Sequence, residues 1–100
     1  MTTPVSLDHL TAAAFEARLN DTFRIDREGG PIVLRLVAVR RLGQTRRAGG
    51  GFALDFVTVK GPQLPQAIYH LANETLGTVD IFLVPIGPIE GGFGYEALFA

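Results

Sequence analysis

The sequence predicts a mainly β domain: a small six-stranded antiparallel barrel or curled sheet with one short N-terminal α-helix. Three observations lead there. Apolar residues follow helical spacing once, near the start, and after residue 21 they recur mostly at a period of two. Glycine, proline, asparagine and aspartate punctuate the alternating runs at short intervals. The connections between runs are mostly too short for a parallel crossover, so neighbouring strands should run antiparallel.

The elements follow in order. Residues 1–6 read as a loose polar lead. The helix is expected over 11–19, with Thr11 as N-cap, alanines behind it, and Leu10, Ala14, Phe15 and Leu19 as its apolar stripe. Asn20 and Asp21 should stop it, because their side chains compete for the backbone. Residues 22–27 alternate, with Phe23 and Ile25 on one face. Glu28, Gly29, Gly30 and Pro31 form a turn. A β-branched strand covers 32–40, with Ile32, Leu34, Leu36 and Ala38 on one face. A glycine-rich polar loop is expected over 43–51, flexible and internal to the domain. The next strand spans 52–60, with Phe52, Leu54 and Phe56 inward and Asp55 outward. Residues 61–65 break the chain, 66–73 form a strand, and Thr75, Leu76 and Gly77 turn it. Residues 78–85 are the strongest β run, 86–92 read as a Gly/Pro loop, and 93–99 form the last strand. The predicted core is Phe23, Leu34, Leu36, Leu54, Phe56, Tyr69, Phe82 and Phe99, with Phe15 docking on it.

Composition bounds the function. One hundred residues make a single domain, 47% hydrophobic and 19% charged, which can bury a core without a metal or disulfide staple. Nine basic against ten acidic residues leave a net charge of −1, so no global field draws the chain to nucleic acid or anionic lipid. The absence of cysteine removes disulfides, thiol catalysis and zinc–thiolate sites. No apolar run approaches the ~20 residues of a membrane helix, and the N-terminus lacks the basic and apolar regions of a standard signal peptide. Membrane insertion is not expected, and cytoplasmic residence is the default.

Catalysis is poorly provided for. Ser6 is the only serine and lies in the lead. His9 and His70 lack metal-ligand spacing, and Asp21, Asp26, Asp55, Asp80 and Glu96 read as solvated partners for arginines. No catalytic residue, cofactor or metal site is predicted, and the chain reads as a non-enzyme. The glycines at 49–51 and 91–94 do not open a helix, so they read as hairpin positions and not as a phosphate cradle. The sharpest polar feature is Arg40, Arg41, Arg46 and Arg47, four arginines around the 43–51 loop. They could grip an anion, a nucleic acid or an acidic partner. No aromatic residue interleaves them as a stacking platform, which disfavours nucleic acid.

A second apolar face points elsewhere. Strands 32–39 and 79–84 carry apolar residues on both faces, where a half-buried strand should alternate. Val33, Val37, Val39, Ile81, Leu83 and Leu98 are therefore the candidate assembly surface. The last strand, 95–99, has nothing after it to cover its edge. The expected partner is a second copy of the chain or another protein.

The stretches LDHLTAAAFEARLNDTFR at 7–24, LGTVDIFLVPIG at 76–87 and YEALF at 95–99 are familiar as a set, with Leu64, Pro65, Gln66 and Tyr69, His70, Leu71 between them. Together they resemble a family of bacterial proteins of about this length, classed only as a domain of unknown function. The shared motifs belong to core and turns. The resemblance implies an accessory or structural role in a tail-like or surface assembly, near phage-tail-collar-like fibre proteins. The 43–51 loop is the least family-like portion.

Overall fold

The computed structural model describes residues 10–45, 50–58 and 63–99. The lead at 1–6, Ser6, His9, Arg46 and Arg47 lie outside them. One helix, α1 (Ala12–Glu16), is followed by six strands: β1 (Thr22–Ile25), β2 (Ile32–Gly43), β3 (Gly51–Thr58), β4 (Ala67–Asn73), β5 (Gly77–Ile89) and β6 (Gly92–Phe99). The sheet closes in the order β1-β2-β3-β6-β5-β4, with each neighbouring pair antiparallel.

Helix α1 is shorter than its sequence pattern. Thr11 caps it as expected, its Oγ1 accepting from the Ala14 amide at 3.1 Å. The chain leaves helical geometry after Glu16 and turns through Asn20, whose φ is +70°. Asn20 then donates its amide to the Leu36 carbonyl at 2.7 Å, so pairing with β2 competes with a further helical turn. Leu19 is consequently exposed and not part of the stripe.

The helix plugs one end of the barrel. Phe15 is fully buried, with its ring 5.8 Å from both Phe52 and Phe99 and 6.4 Å from Phe23. Phe52 and Phe99 stack at 4.6 Å, and Phe23 meets Phe56 edge-on at 5.2 Å. Below this aromatic layer Leu34, Leu36, Leu54, Leu71, Ile81 and Leu83 fill the interior. Away from the helix, Leu64 is buried in the same core, its amide donating to the buried Tyr95 hydroxyl at 2.8 Å. A barrel this narrow is filled by its own side chains.

Irregularities in β2 and β5 shift the expected faces and boundaries. In β2 the register slips between Leu36, opposite Phe56, and Ala38, opposite Asp55. Val37 is the extra residue of a bulge, which reverses the parity beyond it. Ala38 therefore faces outward, and Val39, opposite Leu54, turns toward the core. In β5 the expected 86–92 loop is strand as far as Ile89, with a register slip between Pro85 and Gly87. Beyond Leu83, β5 pairs only with β6 among the described residues, so Pro85 and Pro88 sit where the strand has no second described neighbour. Proline is tolerated there because its missing N–H breaks no ladder.

Most of the predicted core is buried, with two corrections. Tyr69 is half-buried, its hydroxyl donating to the Pro65 carbonyl at 2.5 Å. Phe82 points outward, between the buried Ile81 and Leu83. The last strand is also not an edge: β6 lies between β3 and β5 and pairs with both. Tyr95, Ala97 and Phe99 are buried and Leu98 is exposed, as their alternation predicts.

Candidate interaction surface

Strand alternation decides which apolar residues reach the outside. On β4 and β5, Ile68 and Phe82 are direct register partners, and their side chains share the outer face. They are 66% and 47% exposed. On β6, Leu98 is 61% exposed. Val84 lies opposite Glu96, and Phe82 and Leu98 stand two positions from that pair on the same outer face. Three large apolar side chains on three adjacent strands thus form an exposed row. Isolated exposed hydrophobics are ordinary; a run across neighbouring strands is the kind of patch that marks contact.

The sequence-predicted assembly residues divide. Leu98 belongs to this row. Val33 is 48% exposed but lies on β2 opposite Arg24 of β1, with β3 between it and Leu98. Val37 is half-buried at the bulge, and Val39 packs partly against the core. Ile81 and Leu83 are buried. Both are corrected from surface to core, because Asp80, Phe82 and Val84 take the outer positions of β5. Phe82 and Ile68 were absent from the predicted surface. The signal is present for Phe82 as the parity of 80, 82 and 84 against 79, 81 and 83, and for Ile68 as the parity of 68 and 70 against 69 and 71.

The polar groups around the row are paired among themselves. Arg40 reaches across the outer face of β3 to Asp55 at 2.9 Å and to Glu96 of β6 at 2.5 Å. Hydrogen bonding to Asp55, then to Glu96, holds the Arg40 guanidinium even more firmly protonated than usual. Arg41, at the helix end, clasps both oxygens of Glu16, at 2.7 and 3.0 Å. That hydrogen bonding lowers the Glu16 carboxyl below its ordinary value. Of the four arginines singled out in the sequence, the two described ones are therefore engaged with carboxylates of their own chain. A cleft of about 450 Å³ lies beside Arg41, lined also by Ala12, Gln44 and Thr45 among others.

Chemistry-bearing groups are sparse elsewhere. His70 and Asp80 are register partners on the outer face of β4 and β5, and His70 Nδ1 hydrogen-bonds the Asp80 carboxylate. His70 is well exposed. Asp80 thus pairs with a histidine and not with the arginine its sequence context suggested. Among the described residues no group of three metal-ligating side chains occurs, and no helix is long and apolar enough to cross a membrane. A second cleft, of about 330 Å³, lies between the end of β1 and the start of β4 and is lined in part by Ile25, Arg27, Leu64 and Tyr69.

The model of a family described as a domain of unknown function, DUF6916, matches residues 10–99. No curated protein and no solved structure matches the chain.

Proposed function

The chain belongs to this family of unknown function, DUF6916, and we propose that it is a non-enzymatic interaction protein that assembles through the outer wall of β4, β5 and β6. The observation that carries the proposal is the row of Ile68, Phe82 and Leu98 on three adjacent strands. Burying such side chains releases about 25 cal/mol per Å² of apolar surface.

A second copy is the partner that fits best. The charges beside the row, Arg40 with Asp55 and Glu96, already neutralise one another in part. The trio keeps a residual charge of −1, so the wall can meet its own copy across a two-fold axis with little like-charge repulsion. The resemblance of the sequence stretches supports placing the assembly in a tail-like or surface fibre system, and that support is separate from the wall. The alternative reading, anion or nucleic-acid binding through Arg40, Arg41, Arg46 and Arg47, draws nothing from Arg40 and Arg41, whose guanidinium groups are held by carboxylates.

Size-exclusion chromatography with light scattering at rising concentration tests the reading. The wild type is expected to associate, and Phe82→Asp and Leu98→Asp to remain monomeric with an unchanged circular dichroism spectrum. A wild type that stays monomeric at high concentration, or variants that associate equally well, would overturn it.

A further inference from the structure

The barrel is closed unevenly, and the weak seam carries three features that fit a second kind of partner. Strand β4 pairs with β5 along its whole length, Ala67–Asn73, but with β1 only through Ala72 opposite Arg24. The reason is length: β1 stops at Ile25, so the first half of β4 has no strand on that side among the described residues. The cleft of about 330 Å³ opens along this half, with Ile25 and the buried Leu64 as apolar lining and Tyr69 beside them. At its rim stands Arg27. Arg18, Arg24, Arg35, Arg40 and Arg41 each pair with a carboxylate. Arg27 alone among the described arginines does not; its Nε donates to the Glu28 backbone carbonyl at 3.4 Å.

We propose that the seam between β1 and β4 receives an extended peptide from a partner protein, which adds a strand to the open half of β4, sets an aliphatic side chain against Ile25 and Leu64, and presents a carboxylate to Arg27. Each part has a physical reason. An edge with unpaired N–H and C=O groups is a template for a further strand. Alternate residues of the added strand point the same way, so one enters the cleft while its neighbours stay outside. A guanidinium without a carboxylate of its own gains a charge-assisted hydrogen bond from an acidic residue. A second copy of this edge suits the seam less well, because it would bring another Arg27 cation, and the one carboxylate beside it, Asp26, is already held by Arg24 of its own chain. Ile68 lines both this cleft and the wall, but Phe82 and Leu98 lie outside the cleft and Arg27 outside the wall, so variants at those positions separate the two readings.

The test pans a phage library of random dodecapeptides against the full chain, then uses a synthetic copy of the enriched sequence as the probe. Enriched peptides are expected to alternate apolar residues and carry an acidic one. The probe should bind Arg27→Glu at least about tenfold more weakly, while panning on R27E should shift enrichment toward basic peptides. Amide exchange at 67–70 should slow on binding, and Phe82→Asp should leave binding unchanged. No enrichment over a blocked surface, equal binding to R27E with its circular dichroism intact, or protection confined to other strands would overturn the proposal. So would loss of binding in F82D, which puts the peptide on the wall, or protection of 67–70 by concentration alone, which makes the occupant a second copy.

Discussion

Phe56 and Phe82 have the same side chain and opposite fates. Phe56 is fully buried and meets Phe23 edge-on, whereas nearly half of Phe82 is open to solvent. Phe56→Ala should cost about 3–5 kcal/mol, transfer and cavity terms together. Phe82→Ala should change stability by no more than about 0.5 kcal/mol. Urea titrations of the two variants check the contrast, and equal losses would mean that the register of β5 is wrong. Glu16 gives a test with a sign. Its carboxyl is lowered in the folded chain by the hydrogen bonds from Arg41. A lowered folded value stabilises above the ordinary carboxylate range and loses that contribution as pH falls through it. The melting temperature of the wild type should therefore drop more between about pH 6 and about pH 3 than that of Glu16→Gln. Parallel curves would show that the clasp adds nothing to stability.

At the scale of elements, the β5–β6 hairpin shows how much a turn can be compressed. Ile89 pairs with Gly92, leaving Glu90 and Gly91 as a two-residue loop with φ of +48° and +81°. Positive φ at both central positions is what the twist of a tight hairpin requires. Gly94 is needed for a different reason. A methyl group there would lie 2.7 Å from the Gly87 carbonyl oxygen and 2.5 Å from Ile89 Cδ1. The side chain can yield but the carbonyl belongs to the bulged backbone. Gly94→Ala should thus cost about 1–3 kcal/mol by overpacking, read from denaturant midpoints, and a neutral variant would show that the bulge is free to move. The β4–β5 turn is tied by a side chain instead. Asn73 Oδ1 accepts from the amides of Thr75 and Leu76 at 2.9 Å, while its Nδ2 donates to the Thr22 carbonyl at 3.1 Å. One buried amide thereby closes a hairpin and fastens it to β1.

At the scale of the whole molecule, pairing strength is uneven around the ring. Strands β3 and β6 share seven consecutive register pairs, whereas β1 and β4 share one. Local opening should begin where fewest contacts must break. Native-state hydrogen exchange should find the amides of β3 and β6 slowest and those of β4 along the seam fastest among the strands. Uniform protection around the ring would contradict the uneven closure.

The period of two, the single helical stripe and the short connections together determined the fold class, the number of strands and most of the interior. These are local signals, and local patterning survives into the fold because each face must choose between core and water. Thr11, Phe15 and the alternation of 95–99 carried their outcomes in the sequence alone. What tertiary structure decided was everything that depends on a partner strand. The bulge at Val37 is defined only against β3, and it alone turned Val39 inward. Pro85, Gly87 and Pro88 looked like a loop because proline and glycine usually break strands, but β6 supplies the ladder and β5 has no second described neighbour there. The core assignment of Phe82 and the surface assignment of Ile81 and Leu83 failed through parity, which a count along the strand could have settled. The pairing of Arg40 with Asp55 and Glu96, and the bare rim at Arg27, were beyond any such count. Those side chains are brought together or left apart by the order in which six strands close, and that order is a property of the ring and not of any segment in it.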